Sequence, residues 1–559
     1  MTRSVHIVER MRWMSALAGA ALVAIALAIA LGATSGQIRL VPNPSARAAQ
    51  SGGSSAPLDP RIATLAAHRP SAPVQAIVQF NAPVTPAKAE SDAAGVHGRV
   101  IGNLPIIHGL ALSLTAAQAR ALAASPDVHA VSLNTTIATE SLPFHMIPGQ
   151  SLSTSELQTT YDQTIGVLPL WKVGVTGTGV GVAVVDTGVD GALPDFATKN
   201  HGGSRVVASA VANADATTAT DSYGHGTDVA GIIAGNGDSR GTGDPLYGRY
   251  IGVAPNANLI SIKVSDETGK ASVLDVIYGL QFAVEHQSQL NIRVINLSLN
   301  STTPQSYRTD PLDAAVESAW MHGIVVVASA GNRGNASDAV QYAPANDPYV
   351  ITVGGVDENG TANPSGDTIA SWSSLGRTQD GVQKPDVYAP GAHIVSVLAP
   401  NSVFATSCST CIVGNGQYIQ TSGTSMAAPV ISGLVADLLQ IHPNWTPDQV
   451  KGDLASSAVT ENGSFQEPNA VKAAQLWNPP VADQGLTPSS LINATTGNIN
   501  YNLSSWNLSS WNRAKGDLRA TYALSSWNCK DCTASSSPAA SPSMSSWNMS
   551  SWNTVQPLG

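Results

Sequence analysis

The chain has 559 residues, too many for one ordinary domain, and 43% of them are hydrophobic against 12% charged. One large core with accessory segments follows, cut by many turns, because 50 glycines and 34 prolines are present. The net charge is -10 and Lys and Arg form no stripe, which excludes a nucleic-acid partner.

Arg3, Arg10 and Arg12 precede an apolar run of 21 residues, Trp13 to Ala33. A basic start followed by an apolar stretch is an export signal. The run is longer than a usual signal core of about 7–15 residues and reaches the ~20 residues that span a bilayer. Residues 1–35 are therefore a cleaved signal peptide or a membrane anchor through 13–33, with cleavage favoured. Both place the rest of the chain outside the cell. Residues 36–70, rich in Ser, Ala, Gly and Pro, read as a linker.

Residues 71–140 carry a small α+β pattern. Ala76–Phe80 alternates like a strand. A helix is expected from Leu114 to Ala124, with Thr115 as N-cap, and a short strand at Val128–Val131. From Leu168 to Gln475 apolar strands alternate with helical patterns. Strands are expected at Gly181–Val185, Leu259–Val264, Val294–Leu297, Ile324–Ala328 and Tyr349–Val353. Helices are expected at 225–235, 272–287, 310–322, 424–441 and 447–457. Such alternation predicts a mostly parallel sheet flanked by helices, an α/β fold in three layers, over 155–478.

Residues 479–559 are a low-complexity tail. Ser-Ser-Trp-Asn begins at 504, 509, 525, 545 and 550, a spacing too irregular for a solenoid. Isolated Trp among Ser and Asn builds no core, so the tail is read as disordered. The alternative is an adhesive tail whose Trp rings stack on sugars or sit at interfaces. Cys408 and Cys411, and Cys529 and Cys532, share a two-residue gap. Local disulfides suit an exported chain, while a shared zinc site and free thiols are the other readings.

Three segments carry chemistry. In Val182–Asp190 an apolar strand ends in Asp186, followed by Thr-Gly. The C-terminal edge of a parallel sheet is where catalytic groups collect, although an Asp there is more often a cap. In Asp221–Gly231, His225 stands between two glycines at a helix start. In Thr421–Pro429, Ser425 falls in the first turn of an apolar helix, where the dipole favours developing negative charge. A serine there is otherwise a capping residue.

Together, in the order Asp, His, Ser with gaps of 39 and 200 residues, the three resemble the subtilisin (subtilase) family, peptidase family S8. The resemblance implies a subtilisin-like fold and a serine endopeptidase acting on proteins and peptides. It implies Ser425 as nucleophile, His225 as general base and acid, and Asp186 as the carboxylate that orients His225. Val325–Gly334 resembles the segment whose Asn helps hold the oxyanion, which implies that role for Asn332. Asn296–Leu299 resembles the cleft wall that pairs with the substrate backbone, so Ser298, Leu299 and Asn300 line the cleft. Gly252–Pro255 and Lys384–Gly391 fit as well. Residues 71–140 then resemble an inhibitory propeptide, an intramolecular partner removed by cleavage between 138 and 160.

Three positions depart from the family pattern. Asp228 replaces a second His, outside the triad and without an expected effect on chemistry. Asn300 replaces a Gly and is expected to narrow the non-primed sites. Arg333 replaces an acidic or small residue, and in the S1 pocket it favours acidic or polar P1 side chains over Lys or Arg. Asp195 matches a calcium ligand of many relatives, with the oxygen-rich loop 236–251 as a second cation candidate. That calcium is structural, and the chemistry requires no cofactor. Two alternatives keep the fold: acyl transfer to amines, and a non-enzymatic scaffold displaying the tail. The complete triad weighs against the second.

Overall fold

The computed structural model describes residues 56–81, 83–139, 161–200, 202–237, 250–461, 465–489 and 523–524. All belong to one compact unit, Ser54–Gly559. The apolar run 13–33, the second Cys pair and the Ser-Ser-Trp-Asn repeats lie outside the described residues.

The N-terminal part begins earlier than its sequence suggests. Helix α1, Pro60–His68, occupies ground expected to be linker. Asp59 caps it by accepting from the Arg61 N–H, and Pro60 stands at the first helical position, where a missing N–H costs nothing. Strands β1 (Pro73–Phe80), β2 (Arg99–Leu104), β3 (Gly109–Thr115) and β4 (Val128–Leu133) form an antiparallel sheet in the order β2-β3-β1-β4. Between them run α2 (Pro86–Gly95) and α3 (Ala116–Ala123). Thr115 caps α3 in a capping box with Gln118. β1 does not alternate as expected: Ala76 to Phe80 are all buried. One face packs under the helices, and Ile77 on the other joins the main core of the molecule.

The larger part is built on parallel strands that are apolar throughout because both faces are covered. They are β6 (Gly181–Asp186), β7 (Val206–Val211), β8 (Asn258–Lys263), β10 (Ile292–Leu297), β12 (Val325–Ser329), β13 (Ile351–Asp357) and β14 (Val387–Pro390). Their order across the sheet is β14-β13-β12-β10-β6-β8-β7. Short antiparallel strands flank both edges. Every residue of β6 and β12 is buried. On one face lie α5 (Val273–Glu285) and α6 (Pro311–Met321), and on the other α4 (His225–Ala234) and α7 (Thr424–Ile441). Helix α8, Pro447–Ser457, follows. α7 is apolar and long enough to cross a membrane, yet 89% of it is buried in the core, so packing explains its composition.

Two short strands outside this sheet matter for the site. β9 (Ala271–Ser272) and β11 (Leu299–Ser301) hold β5 (Thr136–Thr139) between them in an antiparallel ladder. β2 and the Pro105–Ile107 turn after it rest against α5, that turn also meets α6, and Arg61, His129 and Ser132 bond to the 303–309 turn. Cys408 and Cys411 form a disulfide with each other, which removes this pair from any zinc site.

Candidate active site

The C-terminal ends of β6 and β10, together with the starts of α4 and α7, converge. Asp186 ends β6 and is buried. Its Oδ1 lies 2.7 Å from His225 Nδ1 and also accepts from the Thr187 N–H at 2.7 Å. His225 opens α4 and is fully buried. Gly226 is required there: a Cβ would lie 2.1 Å from the Gly188 carbonyl oxygen. The turn is locked by Asp221, which accepts from Gly224 N, Thr227 N and the Thr187 hydroxyl, while Thr187 Oγ1 accepts from Gly226 N. The Phe404 ring meets the imidazole edge-on at 5.9 Å. These contacts fix one imidazole orientation. Nε2 is left buried with no hydrogen-bond partner.

Burial disfavours the charged imidazole, but the Asp186 carboxylate outweighs it, and the His225 pKa is raised. Asp228, one turn further on, is fully buried and accepts from the Thr421 hydroxyl at 2.8 Å. Desolvation pushes its pKa up to about 7, and its charge contributes to raising that of His225. Sequence reasoning set Asp228 aside as outside the chemistry. The structure couples it electrostatically to His225 through burial, which a single sequence does not display.

Ser425 lies in the first turn of α7, buried, with its Oγ donating to the Ser298 carbonyl at 3.2 Å. In return the Ser298 hydroxyl donates to the Ser425 carbonyl at 2.9 Å. The residue just before β11 therefore meets the serine at hydrogen-bond range. Asn332 follows β12, and its Oδ1 accepts from Thr424 N and Thr424 Oγ1 at 2.9 and 3.1 Å. This ties the Asn332 amide to the start of α7, with Nδ2 as its donor end. Thr424, the residue doing the tying, was not singled out from sequence, although Gly-Thr-Ser contained it.

Leu299 and Asn300 pair with β5 through their backbone. The Asn300 side chain does not narrow the cleft as expected. It is buried and its Nδ2 donates to the carbonyls of Leu299 and Ser329. A Cβ at Gly331, whose φ is +99°, would lie 2.8 Å from Asn300 Oδ1, 2.9 Å from Arg333 Nη1 and 3.1 Å from Ser374 Oγ. Those three polar tips thus gather round one backbone point. The Arg333 guanidinium lies over the Tyr342 ring at 3.8 Å.

Asp195 is buried and stands apart from this group. Its Oδ1 accepts from the Tyr418 hydroxyl at 3.0 Å, and its backbone carbonyl accepts from the Arg205 guanidinium at 2.7 Å. A guanidinium on that oxygen is a poor neighbour for calcium, which needs six to eight oxygens. Among the described residues no three His, Cys, Asp or Glu side chains gather for a metal. Residues 238–249 of the second candidate loop lie outside the described residues.

The class so defined is a three-layer α/β protein with a buried Asp–His pair at a sheet edge and a serine at the start of its central helix. Residues 177–477, more than half of the chain, match the family model described as "Subtilase family". The chain belongs to the subtilase family. It is 38% identical to Serine protease AprX of Bacillus subtilis over 54% of this chain and 66% of that protein. It is 36% identical to Subtilisin of Bacillus pumilus over 53% of this chain and 90% of that one. Matches to AprX and to subtilisin E of Bacillus subtilis span just under two thirds of those relatives, 66% and 65%. Among solved structures, fervidolysin from Fervidobacterium pennivorans, described as a keratinolytic enzyme related to subtilisin, superposes with a TM-score of 0.56. That match has 27% identity and covers 78% of this chain and 64% of the other.

Proposed function

We propose that the chain is an exported serine endopeptidase, made as a precursor that cleaves itself. Ser425 is the nucleophile, His225 takes its proton and later gives it to the leaving amine, and Asp186 orients the imidazole and stabilises its charged form. Asn332 Nδ2 and the Ser425 backbone N–H receive the oxyanion. The reading is carried by the 2.7 Å Asp186–His225 contact, which leaves Nε2 buried and unpartnered, together with a helix-start serine whose hydroxyl meets the Ser298 carbonyl just before β11. No cofactor enters this chemistry.

β5 supports the precursor reading. It fills the cleft between β9 and β11 as an added strand, the position a substrate peptide would take. Residues 71–140, extended at the front by α1, then act as an intramolecular inhibitor. The basic start, the apolar run Trp13–Ala33 and the Cys408–Cys411 disulfide support export, since disulfides persist in oxidising compartments. We assign Trp13–Ala33 as a signal removed on export.

The test compares the full-length wild type with Ser425→Ala. The wild type should shorten itself and digest casein, while the variant should stay full-length and inactive. Casein digestion undiminished in Ser425→Ala would overturn the reading.

A further inference from the structure

Asp186 holds one end of the His225 ring, at Nδ1. At the other end Nε2 has no hydrogen-bond partner, so packing has to aim it. The Phe404 ring supplies that packing, edge-on to the imidazole at 5.9 Å and 81°. The aim matters, because a misplacement of ~1 Å in a catalytic group costs on the order of 10²-fold in rate.

Phe404 comes from residues 398–417, the connection between strands Ile394–Val397 and Tyr418–Thr421. The second strand runs on to Ser425, so one connection adjoins both the base and the nucleophile. It has a core of its own. Leu398, Phe404, Cys411 and Ile419 form a small buried cluster, with Tyr223 and Cys408 among the residues packed against it. Val403 and Phe404 donate their N–H groups to the carbonyls of Ser222 and Tyr223, both at 3.0 Å, in the turn that leads into His225. The fit is close: a Cβ at Gly224 would lie 2.6 Å from Ser402 Oγ and 2.8 Å from Phe404 Cβ.

The helix that carries Phe404, Val403–Ser407, is far below the ~12–15 residues at which a helix persists unaided. Asn401, Val403, Thr406, Ser407, Ser409 and Thr410 around it are exposed. Its far end is closed by the Cys408–Cys411 disulfide, which ties it to the buried Cys411 of the small cluster. Cys408 itself is half-buried between exposed serines, within reach of a small thiol.

We propose that Phe404 is a positioning residue for His225 and that the Cys408–Cys411 disulfide holds it there, so that the site works oxidised and fails reduced. The proposal rests on the peptidase reading and adds a redox condition to it. A dithiol supplies the two electrons. One of its thiolates attacks Cys408 Sγ, the Cys408–Cys411 bond breaks, and Cys411 leaves as a thiolate that takes up a proton. The second thiol attacks the mixed disulfide, Cys408 leaves and is protonated in turn, and the dithiol ends as its cyclic disulfide. Helix 403–407 is then untethered, Phe404 parts from the imidazole, and Nε2 loses its aim. The chain is idle in a thiol-rich compartment and active where disulfides persist.

Hydrolysis of one peptide by the processed enzyme, with and without dithiothreitol, tests this. Alkylation and mass spectrometry read the state of Cys408 and Cys411, and thermal unfolding reads the fold. Reduction should lower kcat about 10²-fold with KM little changed, and reoxidation should restore it. Cys408→Ser combined with Cys411→Ala should be slow from the start and indifferent to dithiothreitol, which separates this pair from Cys529 and Cys532. Phe404→Ala should show the same loss in kcat with the disulfide intact, and Phe404→Leu should recover most of it. Full kcat with Cys408 and Cys411 alkylated, Phe404→Ala equal to wild type, or a loss that comes only with unfolding overturns the proposal and leaves the peptidase reading intact. No hydrolysis by the oxidised wild type overturns the peptidase reading itself.

Discussion

Replacing Asp186 with Asn keeps the shape of the side chain and removes its charge. Asp186 and His225 are buried and 2.7 Å apart, so solvent does little to screen the pair. An Asn there can donate to Nδ1, which moves the imidazole proton to Nε2, where it can no longer accept from Ser425. The imidazolium formed during reaction also loses its counter-charge. Exchanges of this kind in serine-protease triads cost ~10⁴ in turnover, equal to about 5 kcal/mol of transition-state stabilisation. The rate of self-shortening of the purified full-length chain reads this directly, with thermal unfolding as the check on folding. A slowing below tenfold in a folded Asp186→Asn variant would refute the pairing argument.

Asn332→Ala should lower kcat by ~10²–10³ with little change in KM, a range set by the same loss in subtilisin, a relative of this chain. In Asp228→Asn the acid limb of the kcat/KM profile should move to lower pH, because Asp228 contributes to raising the His225 pKa. An unmoved limb would separate Asp228 from the imidazole. Stability should run against activity. Asp310 and Asp347 are buried, and desolvation raises both to about 7 from an ordinary 3.8. A carboxyl raised on folding binds its proton more tightly in the native state, so each favours folding at low pH. That stability is lost as pH rises from about 4 to about 7. The midpoint of thermal unfolding of Ser425→Ala, which cannot digest itself, should therefore be higher at pH 5 than at pH 8. The opposite order would contradict the assignment.

The parallel sheet was legible because apolar strands and helices alternate with few interruptions. The ends of α7 and α8 agree with those expected from sequence, since their caps and apolar runs are local signals. β7 and β14 were not found. The first is only half buried, and the second ends in a proline that reads as a break. α1 was hidden among Ser, Ala and Pro, where composition suggested a linker although Asp59-Pro60 was a helix start. Within the site, Asp186, His225, Ser425 and Asn332 could be named because each stands in a distinctive short segment. The parts that depend on distant packing were not legible. The Asn300 side chain turned away from the cleft, Asp195 bonded to Tyr418, and Asp228 joined the field at His225. The register of β5 on β11 was beyond sequence reading, because it joins residues more than 150 positions apart.

The most direct measurement is labelling of the processed enzyme with a serine-directed phosphonate, followed by peptide mass spectrometry. One phosphonate per chain is expected, on Ser425. A folded, processed chain that takes no label, or takes it at another serine, would contradict the assignment of Ser425 as the nucleophile.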